Sequence, residues 1–117
     1  MNNITIVGRI GRDPELRFTK DGKAVASFSV ATDHGRDDNK KTTWHNVTAF
    51  GTLGENVASS LSKGARVIVS GRLDISDYDG KDGEKKKRVE IIADAVGREL
   101  RFDAIDAMGN AEPEEVF

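Results

Sequence analysis

The sequence contains no cysteine among its 117 residues. Disulfide bonds, thiolate metal ligands and cysteine nucleophiles are therefore excluded. It also contains no apolar run of the length that a signal peptide or a membrane-spanning helix requires. The length suits one modest hydrophobic core, so we expect a single domain. The two absences together predict a soluble protein inside the cell.

Patterns typical of catalysis are missing as well. No nucleophile stands at a recognisable spacing from both a base and an orienting acid. The segment Gly8–Gly11 lacks the Lys-Ser/Thr pair that follows the glycines of a phosphate-binding loop. His34 has aspartates nearby, but their spacing matches no metal-ligand motif and suits a polar loop. We therefore predict a protein that is not an enzyme and has no metal and no cofactor.

Aromatic residues make up only 6% of the chain, yet two large rings are placed together. Trp44 and Phe50 are six residues apart, so an extended strand presents both on one face. Val47 and Ala49 then lie on the other face, which suits the core. Exposed rings along a polar strand face predict a ligand that stacks on them, and unpaired nucleic-acid bases do so regardless of sequence. The alternative is that Trp44 covers the barrel or a subunit contact.

The formal net charge of −2 is unevenly distributed. All 18 Lys and Arg lie in residues 1–102 together with 15 of the 20 Asp and Glu, which gives that part a charge of +3. Residues 103–117 hold the other five acids, and hydrophobic periodicity ends beyond Phe102. We predict a folded domain over residues 1–102 and a short, disordered acidic tail over residues 103–117.

Apolar residues that alternate with polar ones predict strands along the body. This pattern is seen in Ile4–Ile10, Ala24–Val30, Trp44–Phe50, Arg66–Ile75 and Val89–Ala95. Leu53, Val57 and Leu61 recur at helical spacing after the third stretch, and Gly64 marks an end. Five strands with one short helix between the third and fourth predict an all-β OB fold, a closed barrel. Another small β-barrel or a sandwich is the alternative.

Turn signals divide these strands. Asp13-Pro14 is expected to bend the first strand, and Asp21-Gly22 predicts a hairpin turn. Two charged stretches, residues 33–41 and 77–87, are predicted to be loops. Further side chains predicted to point into the core are Leu16, Phe18, Leu73 and Ile75.

Several motifs occur in order along residues 3–102. They are Ile6-Val7-Gly8-Arg9-Ile10-Gly11-Arg12-Asp13-Pro14-Glu15-Leu16-Arg17, Ala24-Val25-Ala26, Trp44-His45, Phe50-Gly51, Val57-Ala58, Lys63-Gly64 and Val69-Ser70-Gly71-Arg72-Leu73. In this order the chain resembles the bacterial single-stranded DNA-binding proteins. The resemblance implies a cytoplasmic, nucleoid-associated OB-fold homotetramer. Such a protein coats single-stranded DNA without sequence preference during replication, recombination and repair.

The resemblance also implies which residues bind DNA. It makes Trp44, Phe50 and Tyr78 stack bases, and it places His45 near subunit contacts. The family often has another aromatic where this chain reads Asp33–Asp37, and we expect the planar guanidinium of Arg36 to substitute for it. The predicted DNA-binding residues are Trp44, Phe50, Tyr78, Arg9, Arg17, Arg36, Lys63, Arg66, Arg72, Lys86 and Lys87. The alternative for the basic residues is a solubilising role.

The acidic tail has a predicted role of its own. By resemblance it docks replication and repair proteins through Glu112, Glu114, Glu115, Val116 and Phe117. A purely solubilising tail is the alternative. For the whole chain, two other functions stay open: an oligomeric OB-fold adaptor for protein interactions with weak DNA affinity, and a single-stranded RNA binder.

Overall fold

The structure, a computed structural model, describes residues 1–102 and residue 104. Within them, six strands form one sheet: β1 (Ile4–Ile10), β2 (Glu15–Phe18), β3 (Ala24–His34), β4 (Lys41–Phe50), β5 (Arg66–Asp79) and β6 (Lys85–Arg98). A ten-residue helix, α1 (Gly51–Ser60), connects β4 to β5. A 3-10 turn, Asp37–Asn39, lies between β3 and β4. No helix among the described residues is long and apolar enough to cross a membrane.

The sheet closes into a barrel because β1 pairs with two other strands. Residues 4–9 of β1 pair with β5, whereas Arg9 and Ile10 pair with Ala31 and Val30 of β3. The ring continues from β5 to β6, β4 and β3, with β4 and β6 parallel and the other neighbours antiparallel. If β1 and β2 are counted as one strand bent at residues 11–14, the barrel has five strands. The predicted OB fold is confirmed.

The core fills the barrel as the alternation predicted. Side chains that are at most 2% exposed include Ile10, Phe28, Val30, Val47, Val67, Val69 and Ile91. Val57 of α1 is buried, and Leu53 and Leu61 pack against the same cluster. Each such side chain contributes roughly 1.5–3 kcal/mol when it leaves water. Helix α1 therefore belongs to the core of the domain.

The prediction of a loop over residues 77–87 is wrong. Strands β5 and β6 continue past the barrel as a two-stranded arm, in which residues 75–79 pair with residues 85–89. Only residues 80–84 connect the two strands. Opposite charges face each other across this arm, with Asp77 paired to Lys87 and Asp79 to Lys85. Such cross-strand pairs stabilise a ladder, so a charged stretch with no apolar alternation still forms strands. Tyr78 lies on this arm.

Three side chains predicted to be inward are exposed instead. Leu16 and Phe18 are 41% and 58% exposed because β2 pairs only with β3 and lies outside the closed ring. Ile75 is 57% exposed because it lies on the arm, opposite Val89. Leu73, nearer the barrel, packs against the core as predicted.

Candidate nucleic-acid interface

Three adjoining depressions that share lining residues form a groove on the barrel surface. Its centre has a volume of about 690 Å³ and is lined by β3, β4, β5 and β6. One side opens into a depression of about 400 Å³ between β2 and β4, and the other into a depression of about 260 Å³ beside Trp44. The centre shares Thr48, Arg88 and Glu90 with the first depression, and Asn46, Lys87, Val89 and Glu90 with the second. We call these three connected parts the groove.

Trp44 lies at one end of the groove, with 60% of its surface exposed. Its ring packs against Gly11, where a β-carbon would come within 2.3 Å of Trp44 Cζ3. The absence of a side chain at residue 11 therefore lets the indole lie in this position. Beyond the ring is a smaller depression of about 200 Å³, lined by Arg9 and Lys63 among others.

Phe50 lies at the other end, 40% exposed. Lys23 Nζ stands 5.3 Å from the centroid of its ring, a cation–π distance. Phe18 lines the same depression, together with Arg17. Sequence reasoning missed Phe18 because it treated β2 as a half-buried strand. Lys23 was missed too, although it directly follows the predicted turn at Asp21-Gly22.

Tyr78 faces the centre of the groove from the arm and is 50% exposed. Lys87 and Arg88 line the same part of the groove from β6, and Arg12 lines it from the bend between β1 and β2. All three predicted stacking residues therefore lie along one groove. Arg12 and Arg88 are not among the predicted DNA-binding residues, although Arg88 ends the basic run Lys85–Arg88 from which Lys86 and Lys87 were predicted.

The predicted basic residues lie in three places: in the groove, in the depression beyond Trp44, and elsewhere on the domain. Arg17 and Lys87 line the groove, while Arg9 and Lys63 line the depression beyond Trp44. The others lie elsewhere: Arg36 in the β3–β4 loop, Arg72 and Lys86 at exposed strand positions, and Arg66 at the start of β5.

Arg66 is engaged in a structural ion pair. Its Nε donates a hydrogen bond of 2.8 Å to Glu99 Oε2, and its side chain is only 20% exposed. Its guanidinium also lies 4.8 Å from the ring centroid of Phe102. The Arg66 hydrogen bond lowers the pKa of Glu99 below its usual value. This arrangement joins the end of β6 to the start of β5.

One acid lies on the floor of the groove. Thr48 Oγ1 donates a hydrogen bond of 2.7 Å to Glu90 Oε2, and Arg88 Nη2 stands 3.7 Å from the same oxygen. Thr48 shares a strand face with Trp44 and Phe50, yet it is only 7% exposed. The floor of the groove is therefore polar between the two rings.

Two titratable groups on the β3–β4 ladder have shifted pKa values. His45 is partly buried on the opposite face of β4, its Nε2 lies 3.0 Å from Thr32 Oγ1, and burial lowers its pKa. Asp33 accepts a hydrogen bond of 2.7 Å from Thr42 Oγ1, which holds the pKa of Asp33 below its usual value. Arg9 also pairs with Asp33, at 3.4 Å. The carboxylate therefore partly neutralises Arg9 near the DNA path predicted from sequence.

Residues 1–102 and 104 contain no cluster of three or more His, Asp or Glu that is placed to hold a metal ion. The predicted tail residues Glu112, Glu114, Glu115, Val116 and Phe117 lie outside the described residues.

Most of this chain is similar in sequence to known proteins. Residues 1–99 match the single-strand binding protein family. The single-stranded DNA-binding protein of Corynebacterium glutamicum is 44% identical over 111 residues, which cover 89% of this chain and 49% of that protein. The proteins of the same name from Paenarthrobacter aurescens and Mycobacterium tuberculosis are 42% and 43% identical over 106 residues. These matches cover 85% of this chain in both cases, and 62% and 65% of the respective relatives. The chain thus spans about half to two thirds of the length of these relatives, and it belongs to the single-strand binding protein family.

Proposed function

We propose that this chain binds single-stranded DNA without sequence preference and coats exposed strands during replication, recombination and repair. The observation that carries the proposal is the placement of Trp44, Phe50 and Tyr78, each at least 40% exposed, along one groove. Each base stacked on such a ring contributes roughly 1–3 kcal/mol, whatever the base. The chain acts by binding and carries out no catalysis.

Cations along the groove supply the second part of the mechanism. Arg12, Arg17, Lys87 and Arg88 line it and are available to contact phosphates. A body charge of +3 is small for binding by charge alone. Stacking must therefore supply much of the affinity, and paired, stacked bases in a duplex cannot use the rings. This reasoning favours single strands over duplex DNA.

The proposed assembly is a homotetramer. Val7 of β1 and Ile68 of β5 are paired across the sheet and are 42% and 40% exposed. A neighbouring apolar pair on the outer wall suits contact with a second copy. An assembly that joins several grooves raises avidity because later contacts become intramolecular.

The acidic tail and the cellular location complete the proposal. Residues 103–117 carry five acids and the apolar pair Val116 and Phe117. Such a segment suits docking into an apolar pocket with a basic rim on replication and repair proteins. The proposed location is the cytoplasm, at the nucleoid.

Fluorescence anisotropy with labelled oligo-dT, oligo-rU and duplex DNA of equal length tests the proposal. We expect tight binding to oligo-dT, weaker binding to oligo-rU and little to duplex. The double variant Trp44→Ala/Phe50→Ala should lose most of the oligo-dT affinity. Tighter binding to oligo-rU would indicate an RNA binder, and failure to bind either single strand would favour the protein-interaction adaptor.

A further inference from the structure

Glu90 occupies the one position that lines all three parts of the groove. Its backbone belongs to β6, and its side chain is 15% exposed. A strand that follows the groove from Phe50 to Trp44 therefore runs beside this carboxylate. A negative charge there is unfavourable for a phosphate, so the sugar-phosphate backbone is expected to avoid the floor and the bases to approach it.

The contacts of Glu90 leave it able to accept another hydrogen bond. Thr48 Oγ1 donates to Oε2 at 2.7 Å, and the closest Arg88 nitrogen, Nη2, is 3.7 Å from the same atom. Among the described residues, no hydrogen bond to Oε1 is formed. An ionised carboxylate is an acceptor only, with about four lone-pair positions on its two oxygens. Oε1 can therefore accept a hydrogen bond from a base edge.

Bases differ in what they offer such an acceptor. Cytosine, adenine and guanine each carry an exocyclic amino group, whereas thymine and uracil offer one ring donor, N3–H, flanked by the O2 and O4 carbonyl oxygens. A carboxylate that accepts from the cytosine N4 amino group can lie away from the carbonyl oxygen, whereas a carboxylate that accepts from uracil N3–H lies between two carbonyl oxygens and is repelled by both. We propose that Glu90 biases the groove toward bases that carry an amino group, within otherwise sequence-tolerant stacking. This inference rests on the proposed binding of single-stranded DNA.

Cytosine and uracil give the cleanest comparison because uracil lacks the thymine methyl group. Oligo-dC and oligo-dU of one length are titrated against the wild-type chain and Glu90→Gln. Glutamine keeps the shape and an oxygen acceptor for Thr48, loses the charge and adds a donor that can reach a carbonyl. We expect Glu90→Gln to lower the ratio of oligo-dC affinity to oligo-dU affinity about tenfold, the scale of one charge-assisted hydrogen bond.

Asp94→Asn is the matched control. Asp94 is an exposed acid on the same strand and lies outside the groove. Its removal should raise both affinities alike, through charge, and leave their ratio unchanged. Glu90→Asp keeps the charge but shortens the side chain, so it should lower the ratio of oligo-dC to oligo-dU affinity less than Glu90→Gln does. It serves as the test variant if Glu90→Gln fails to fold. If the wild-type chain binds both oligonucleotides and the folded Glu90 variants keep the same ratio of oligo-dC to oligo-dU affinity, the inference about Glu90 is wrong and the proposed function stands. If the wild-type chain binds neither oligonucleotide, both the inference and the proposed function are wrong.

Discussion

The indole of Trp44 depends on a residue that is distant in sequence. Gly11 belongs to the bend after β1, yet it supplies the surface against which the Trp44 ring packs. Packing on one side fixes the ring, and 60% exposure leaves surface for a base. A ring that is already ordered loses little conformational entropy when it binds a ligand. The surface available for base stacking at this end of the groove thus depends on both Trp44 and Gly11.

Replacing Trp44 should weaken binding to single-stranded DNA without unfolding the domain. Trp44→Ala is expected to cost about 1–3 kcal/mol in oligo-dT affinity, and Trp44→Phe less, because a smaller ring still stacks. Phe102→Ala removes a ring that is 65% exposed outside the groove and should leave the affinity unchanged. Anisotropy titrations measure all three. A folded Trp44→Ala protein with parental affinity would refute stacking at this position.

Gly11→Ala should weaken binding through Trp44. The added β-carbon would lie 2.3 Å from Trp44 Cζ3, so the ring must move. In a double-mutant cycle, Gly11→Ala should reduce oligo-dT affinity in the parent and have little further effect in the Trp44→Ala background. Equal losses in both backgrounds would mean that Gly11 acts independently of the indole.

Among the elements, two hairpins determine the shape of the groove. The β5–β6 arm brings Tyr78 over the groove, and the β3–β4 ladder carries Trp44, Phe50 and His45. The rings of β4 lie on one face of the strand, whereas His45 lies on the other and is partly buried. Because a charged ring is unfavourable in this partly buried position, protonation of His45 is expected to destabilise the β3–β4 ladder.

Stability should fall as the pH decreases from 7.5 to 5.5. Burial lowers the pKa of His45 below 6.5, so the unfolded chain binds a proton before the folded chain does. The stabilisation of the neutral ring is fully present above about pH 6.5 and is lost as the pH falls through the folded pKa. Urea unfolding should show that His45→Gln has a flatter pH dependence. The control His34→Gln, at an exposed position, should keep the parental slope; an equally flat slope there would contradict this assignment.

For the whole molecule, the proposed assembly predicts a mass several times that of one chain. Ile68→Glu places a charge beside Val7 on the outer wall and should dissociate the assembly while the barrel stays folded, since Ile68 is 40% exposed. Leu16→Glu, at a position 41% exposed on β2, is the matched control. Light scattering measures the mass. A parent that is monomeric at micromolar concentration, with full DNA affinity, would remove the multi-groove mechanism.

Much of this molecule could be predicted from its sequence because the barrel strands alternate apolar and polar residues over much of their length. Ile6, Val30, Val47 and Val69 are buried where the period-two pattern places them. The prediction failed where pairing outside the barrel decides exposure. Phe18 is 58% exposed on a strand that pairs only with β3, and alternation alone carries no information about that.

The candidate site was predicted in part for a related reason. Trp44 and Phe50 share a strand, so their common face follows from spacing within β4. The proximity of Glu90 to Thr48 depends on the parallel pairing of β4 with β6, which joins residues 42 positions apart. Local sequence patterns contain no signal for that contact. The roles of all the predicted DNA-binding residues, including Arg36, Arg66, Arg72 and Lys86, which lie outside the groove, remain predictions.

The intrinsic fluorescence of Trp44 during an oligo-dT titration tests the central claim most directly. Trp44 is the only tryptophan, so the emission reports on one end of the groove alone. Stacking of a base on the indole predicts saturable quenching with oligo-dT and little change with duplex DNA of equal length. If anisotropy shows oligo-dT bound while the tryptophan emission stays unchanged, the bases do not stack on Trp44 and the account is wrong.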